Sequence, residues 1–382
     1  MASFRKRSSK WEYRVSYLDK DGEQKIVSHG GFRTKQLASA AAEEVEKAKR
    51  NGGDLSNRDV TMADYWDAWV ARYKTGKHTM ITEKRYPIIG KELRAWFGNR
   101  LLREVRPSEW QDFMNQFGET RSRSTAQRLN GYVRSMVKNA INDQLISVDF
   151  TLNVELSGSR GKSEADKFLQ ADELQAIMTD ALSHASYNNI SNCLIYLGAV
   201  SGARYSELVG LTWGDVDWVT SSININKTWD YHFGQGFQPT KTPSSVRTVS
   251  LTPEAMMLLH RIKSEQTAYY IRTGRRDDLQ MVFRNKQNTV PTNAAANKAL
   301  RAIEDRVEKK MDRPLSARIT FHGLRHSHVS FLLSRNVDIY YISKRLGHSD
   351  ITITLRVYSH MLDDSREKEN NLALEALESL EN

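Results

Sequence analysis

Two polar interruptions divide this chain, and they constrain its fold more than any other single feature. NGGDLSNRD (51–59) and SGSRGKSEAD (157–166) are rich in Gly, Ser, Asn and charge, and neither carries the apolar period of a helix or a strand. They separate three stretches with different patterning, read here as domains 1–58, 59–156 and 157–382. At 382 residues, 39% of them hydrophobic, the chain is long enough for two or three cored domains.

In the first stretch WEYRVSYL (11–18) alternates aromatic and β-branched residues and reads as a strand. DKDG (19–22) is a turn signal, and EQKIVSH (23–29) reads as another strand that GGF is expected to break. From Thr34, a plausible N-cap, one helix runs until glycines stop it. The second stretch is all-α. TMADYWDAWVARYK opens it behind a capping threonine, and three further segments, each closed by Gly, Pro or a polar break, extend it to four or five helices. The third stretch opens with a helix capped near Asp172, holds one β-rich island at 221–251 and returns to helices. The fold class is therefore mainly α with small β elements.

The formal net charge of +10 and a pI near 9.4 suggest a polyanionic partner, nucleic acid first. Arg14, Lys20 and Lys25 on the first strands, and Arg121, Arg123 and Arg128 on the helical stretch, are candidates for phosphate contact, with a solvated surface as the alternative. The one cysteine, Cys193, lies in an apolar run; it excludes an intrachain disulfide and a cysteine-built zinc site, and a reducing compartment fits. No run of about eighteen apolar residues is present to span a membrane, and MASFRKRSSKWEYR lacks the apolar core of a secretory signal.

Three pieces of the third stretch carry unusual chemistry. SGARYSELVGLTWGDVD (201–217), read as helical, sets Arg204 and Glu207 three apart. FHGLRHSH (321–328) sets His322 and Arg325 three apart on one helical face. LGHSDITITLRVYSH (346–360) carries His348 and, ten positions on, Tyr358. His322 and His326 stand four apart, but no Glu follows His322 as a zinc-binding H-E-x-x-H requires.

Together, R-x-x-E, a lysine in a β-hairpin, H-x-x-R-H, L-G-H and a tyrosine followed by S-H resemble the signature of the tyrosine recombinases, over about 167–365. The order of the whole chain is similar to integrases of temperate phages and conjugative transposons of the lambda type. That resemblance implies an N-terminal three-stranded sheet plus helix for arm-type DNA (1–58), a helical core-binding domain (59–156) and a mixed α/β catalytic domain with a C-terminal tail helix (157–382). It implies a site-specific recombinase that integrates and excises a mobile element, cutting and rejoining DNA through a 3′-phosphotyrosyl intermediate and a Holliday junction. The implied partners are double-stranded DNA at core and arm sites, a homotetramer on DNA, an accessory DNA-bending protein and an excisionase. The implied setting is the bacterial cytoplasm, at the nucleoid.

The resemblance also assigns roles that the chemistry makes sensible. In-line attack on a phosphodiester builds charge on the non-bridging oxygens, and two guanidinium forks grip such oxygens bidentately. The two catalytic arginines fall on Arg204 and Arg325, with Glu207 supporting. Tyr358 is the implied nucleophile. A phenol ordinarily has a pKa of about 10, and His322 is the implied proton-transfer group. Lys241 in QPTKTPSSVRTV is the implied donor to the leaving 5′-oxygen, its K-T-x-x-S-x-R-T context favouring it over Lys227. His348 is expected to hydrogen-bond the phosphate. Neither metal, ATP nor another cofactor is expected.

ITITLRVY alternates like a strand, but Ser349 or Asp350 is a natural N-cap and the motif favours a helix. His326 and His360 are expected to be structural or to support the catalytic groups from behind. The tail EKENNLALEALESLEN (367–382) is expected to form a helix that docks on its own domain or on a neighbouring protomer. A DNA-binding regulator that had lost catalysis would show erosion among Arg204, Lys241, His322, Arg325, His348 and Tyr358, and all six are present.

Overall fold

The computed structural model describes residues 2–18, 22–50, 59–161, 168–355, 358, 374, 377 and 378. Two compact units divide at Gly161 and Lys162. Among the described residues no helix is long and apolar enough to cross a membrane.

The first unit begins with three antiparallel strands, β1 (Ser3–Arg7), β2 (Lys10–Leu18) and β3 (Gln24–Phe32), followed by α1 (Lys35–Arg50). Alternation along β2 turns Tyr13 and Val15 toward Ala42 and Val45 of α1. The Thr34 hydroxyl accepts from the Leu37 N–H at 3.2 Å, so this threonine caps the helix as expected. The glycines of GGF do not end the strand. Trp11 pairs with Phe32 and Glu12 with Gly30, which leaves Gly31, at φ 98°, as the extra residue of a bulge.

Behind the sheet region come α2 (Met62–Tyr73), α3 (Met80–Glu83), α4 (Arg85–Phe97), α5 (Pro107–Glu119) and α6 (Arg123–Asn142). Their core is aromatic: Trp66, Tyr86, Trp110 and Phe150 are all but fully buried. The buried indoles are satisfied, Trp66 donating to the Tyr86 carbonyl at 3.0 Å and Trp110 to Asn130 Oδ1 at 2.8 Å. The start of the polar stretch at 157 is packed rather than free. Ser159 exchanges backbone bonds with Arg121 and Arg123, and Gly158 lies tight against the backbone there at φ 129°. The compact unit thus continues past 156.

The second unit opens with α7 (Ala171–Ser183). Its cap is Gln170, whose N–H donates to Glu173, and Asp172 lies inside the first turn rather than at the cap. Next, α8 (Ile190–Ser201) is apolar on all sides and runs through the core, the pattern of a fully buried helix. Cys193 is buried in it, and burial pushes its thiol up to about 12, so it stays protonated and unreactive. The short α9 (Tyr205–Leu208) follows.

The β-rich island then forms two small sheets. β4 (Val216–Asp217), β5 (Ser222–Ile225) and β8 (Arg247–Ser250) make one, in the order β4-β5-β8; the hairpin β6 (Lys227–Asp230) and β7 (Gly236–Pro239) makes the other. The remaining helices are α10 (Pro253–Thr273), α11 (Asn293–Met311), α12 (Phe321–Ser334) and α13 (Ile339–Leu346). Residues 351–355 are helical, and Asp350 accepts from the Thr352 N–H at 2.9 Å, so this capping signal overrides the strand-like alternation. Of the tail, only positions 374, 377 and 378 are described, with Leu374 and Leu377 exposed; its docking lies outside the described residues.

Candidate active site

Two glycines shape the site, one inside α8 and one at its C-cap. A Cβ on Gly198 would fall 2.8 Å from the Phe321 ring, so only a glycine lets the start of α12 settle on α8. Gly202 ends α8 at φ 65°, and a Cβ there would lie 2.7 Å from His328. The chain then turns outward, and Arg204 is extended, at φ −72° and ψ 152°. The helical reading of 201–217 is therefore corrected. Beyond Ser201, the last residue of α8, only 205–208 form an α-helix, because the turn after Gly202 breaks the run and Arg204 sits at the N-cap.

That extended backbone lets Glu207 bind Arg204 twice. The Arg204 N–H donates to Oε2 at 2.8 Å and Nη1 donates to Oε1 at 2.7 Å. Glu207 is only 2% exposed and also accepts from Arg247 Nη2 at 2.9 Å. Burial alone would raise its pKa, but the Arg247 hydrogen bond and the charges of Arg247 and Arg204 outweigh it, and the net shift is downward. Glu207 is thus a buried anion that fixes a half-exposed guanidinium, not a surface ion-pair partner.

Arg247, on β8, is a participant that the sequence reading did not single out. Its Nε donates to the Arg345 carbonyl at 2.6 Å and its Nη1 to the Ser245 carbonyl at 2.9 Å. One side chain therefore ties the strand after Lys241, the carboxylate under Arg204 and the end of α13. The signal was present in the S-x-R-T that follows Lys241, but a lone arginine in a strand gives no hint of what lies beneath it.

Arg325 is held from behind. Its Nη1 donates to the Gly202 carbonyl and its Nη2 to the Leu346 carbonyl, both at 2.8 Å and both at helix C-terminal ends. Nη2 also donates to His348 Nε2 at 2.8 Å, so the His348 proton is on Nδ1, which donates to Thr354 Oγ1 at 2.8 Å. Burial, then the nearby Arg204 charge, lowers the Arg325 pKa to about 9, which leaves it charged at neutral pH.

Three guanidiniums face one carboxylate here, and the imidazoles register the surplus. Burial and the Arg325 and Arg204 charges depress His348 to about 4. His322 is pushed down to about 4 as well, by burial and then by His326, Arg325 and Arg204. Because His322 is itself exposed, the facing charges are the firmer part of that cause. The cluster therefore carries surplus positive charge, which favours an anionic ligand.

Tyr358 packs its ring among Val329, Leu333, Ile342 and Leu346 and is only 4% exposed. Its hydroxyl lies 2.6 Å from His326 Nδ1, not on His322. His326, expected to be structural or supporting, thus touches the tyrosine directly. His322 instead stands edge-on to His326, ring centroids 5.0 Å apart.

The remaining site residues lie apart. Lys241 is exposed just beyond β7, with no contact to the cluster among the described residues. Lys227 is bound to Asp215 and Asn226 and lies over the Phe237 ring. In the first unit Arg14 and Lys25 sit on opposite faces of the sheet, because Lys25 pairs with Tyr17 on the face that packs against α1. Arg14 shares the outer face with Arg5, Arg7 and Lys10. Lys20 lies outside the described residues. Arg121, Arg123 and Arg128 are exposed; Arg121 lies 3.5 Å from Glu92 and over the Phe117 ring.

Comparison with known proteins adds independent findings. The phage integrase family profile matches residues 167–365, and an arm DNA-binding domain profile matches residues 3–49. The integrase of Staphylococcus phage L54a is 24% identical over 293 residues, covering 72% of this chain and 81% of that protein. The fold is similar to that of the Tn1549 transposon integrase in complex with a circular intermediate DNA, with a TM-score of 0.67 and 18% identity over 81% of this chain and 99% of that one. It is also similar to a lambda integrase tetramer bound to a Holliday junction, with a TM-score of 0.55 and 16% identity over 91% and 96% of the two chains.

Proposed function

We propose, from the premise that this chain belongs to the phage integrase family, that it is a site-specific tyrosine recombinase whose nucleophile is Tyr358. It integrates and excises a mobile element by cutting and rejoining DNA through a 3′-phosphotyrosyl link and a Holliday junction. The observation that carries the residue assignment is the convergence of Arg204, Arg325, His348, His322 and Tyr358 in one cation-rich cluster.

The geometry suits phosphoryl transfer. Arg204, fixed by Glu207 but a third exposed, presents its fork outward, and Arg325 and His348 form the wall behind it. The scissile phosphate supplies the missing anion, and charge grows on its non-bridging oxygens as Tyr358 attacks. Each preorganised donor lowers the barrier by roughly 3 kcal/mol. Arrival of the phosphate also relieves the repulsion that holds His322 and His348 low. Lys241 protonates the leaving 5′-oxygen; its exposed turn lets it reach DNA, whereas Lys227 is engaged with Asp215. The phosphotyrosyl bond keeps the energy of the broken one for religation.

The outer face of the small sheet, with Arg5, Arg7, Lys10 and Arg14, reads arm-type DNA. The helices from 59 to 156 grip the core site, with Arg121, Arg123 and Arg128 on phosphates, and residues 157–382 carry catalysis. Four protomers act together on two duplexes in the bacterial cytoplasm, with a DNA-bending protein and an excisionase as accessory factors. Incubation with a nicked duplex carrying the core site that flanks the gene tests the reading. Wild-type protein gives a DNA-linked species on a denaturing gel and Tyr358→Phe gives none, while both bind the duplex. An adduct that survives the change assigns the nucleophile elsewhere.

A further inference from the structure

We infer that His326, rather than His322, takes the proton from the attacking tyrosine. The inference rests on the recombinase reading and goes beyond it, by naming a catalytic residue that the motif leaves without a role.

The argument begins with the phenol. To form a bond to phosphorus, the Tyr358 oxygen must lose its proton, and at neutral pH almost none of an ordinary phenol is ionised. A base at hydrogen-bond distance is the economical solution. His326 Nδ1 lies 2.6 Å from Oη. Of the two neutral groups the phenol is the stronger acid, so its O–H donates and the imidazole nitrogen accepts. His326 is then the Nε2–H tautomer, with Nδ1 unprotonated and able to take a proton. His348 is already committed differently, since its Nε2 accepts from Arg325.

Helix geometry explains the pairing. His322 and His326 are one turn apart on α12, so they stand on the same face. The turn nearer the α12 C-terminus is the one that meets the Tyr358 ring, because that ring packs on Val329 and Leu333 of the same helix. His322, one turn back toward Arg204 and Arg325, sits edge-on to His326. A proton arriving on His326 therefore stays beside the cleavage site.

The step balances. The Oη–H bond breaks and its proton passes to His326 Nδ1. The Oη–P bond forms as the P–O5′ bond breaks, and the departing oxygen takes a proton from Lys241. In religation the 5′-hydroxyl attacks and returns its proton to Lys241, the P–O5′ bond forms as the Oη–P bond breaks, and the proton on His326 returns to the tyrosine.

Single-turnover cleavage of the nicked core-site duplex by the full-length chain tests this. His326→Ala is expected to lose roughly 100-fold or more in cleavage rate with DNA binding retained, and added imidazole is expected to restore part of it. His326→Gln, which keeps a hydrogen-bonding group but takes no proton, is expected to remain as slow, and to lose the acidic limb of the pH–rate profile. A Gln variant near wild-type rate makes His326 a positioning residue and overturns the inference. So does an Ala variant that cleaves like wild type, or an acidic limb that vanishes in His322→Ala alone. Circular dichroism of the full chain certifies folding; if Ala unfolds it, the Gln profile decides. Tyr358→Phe, run in parallel, separates the two readings. An adduct in that variant removes the recombinase assignment, whereas its absence together with a fast His326→Gln removes only this inference.

Discussion

At the residue scale, Glu207 shows how a buried charge acts at a distance from the DNA. It touches two arginines with different tasks. Arg204 is a third exposed and faces outward, while Arg247 is nearly enclosed and faces the interior. Removing Arg247 leaves a buried carboxylate with one partner fewer and frees the end of α13 that precedes His348. Arg247→Ala is therefore expected to reduce cleavage at least 10-fold and lower the thermal midpoint. Arg204→Ala is expected to reduce cleavage far more, by about 100-fold or more, with little change in the midpoint. Parallel cleavage assays and melting curves check the pair, and equal thermal losses would show that Arg204 is structural too.

The histidines set a pH window at the same scale. The pKa of His328 is held near 3, chiefly by burial and the Arg345 charge, and those of His322 and His348 near 4. Free histidine titrates near 6.5, so the unfolded chain binds these protons first. The stability that this contributes is complete above about pH 6.5 and is lost as pH falls toward the folded values. The thermal midpoint is expected to drop between pH 7 and pH 5, before most carboxylates titrate. A flat midpoint over that interval would show that these imidazoles titrate in the folded protein as they do in the unfolded chain.

At the element scale, helices were more legible than what happens at their ends. Thr61 and its aromatic run gave α2 directly, because capping and a 3.6-residue period are local signals. The HGLRH run likewise gave α12. The turn after Gly202 was missed, since the need for a left-handed residue there comes from His328 and Leu346, more than a hundred positions away. Gly31 was misread for a related reason: a glycine that ends a strand and one that makes a bulge look alike until the partner strand is in register. The catalytic residue types were legible as an ordered set. Their contacts were not, and the Tyr358 hydroxyl rests on His326, a histidine read as structural or supporting. Gly202→Ala puts a methyl group into His328 at positive φ and is expected to destabilise the second unit by about 1–3 kcal/mol. Its melting curve checks this, and an unchanged midpoint would mean that α12 can shift without cost.

At the scale of the whole molecule, the basic sheet face and the cluster around Arg204 and Arg325 are two concentrations of positive charge, one in each unit. Deleting residues 1–58 is expected to weaken binding to arm-site DNA and leave core-site binding and cleavage largely intact. Gel-shift titrations on the two duplexes decide it, and loss of core binding would mean that the sheet serves the core site. Affinity for both is expected to fall steeply with salt, as phosphate contacts release counterions.

The central claim is that one phenol oxygen, seated against a wall of guanidinium groups, attacks phosphorus. Trapping the covalent species on the nicked duplex, digesting it and locating the nucleotide by mass spectrometry tests that most directly. The account predicts a single modified peptide with the nucleotide on Tyr358. A nucleotide on any other side chain, or cleaved DNA ending in a free phosphate with no protein attached, would contradict it.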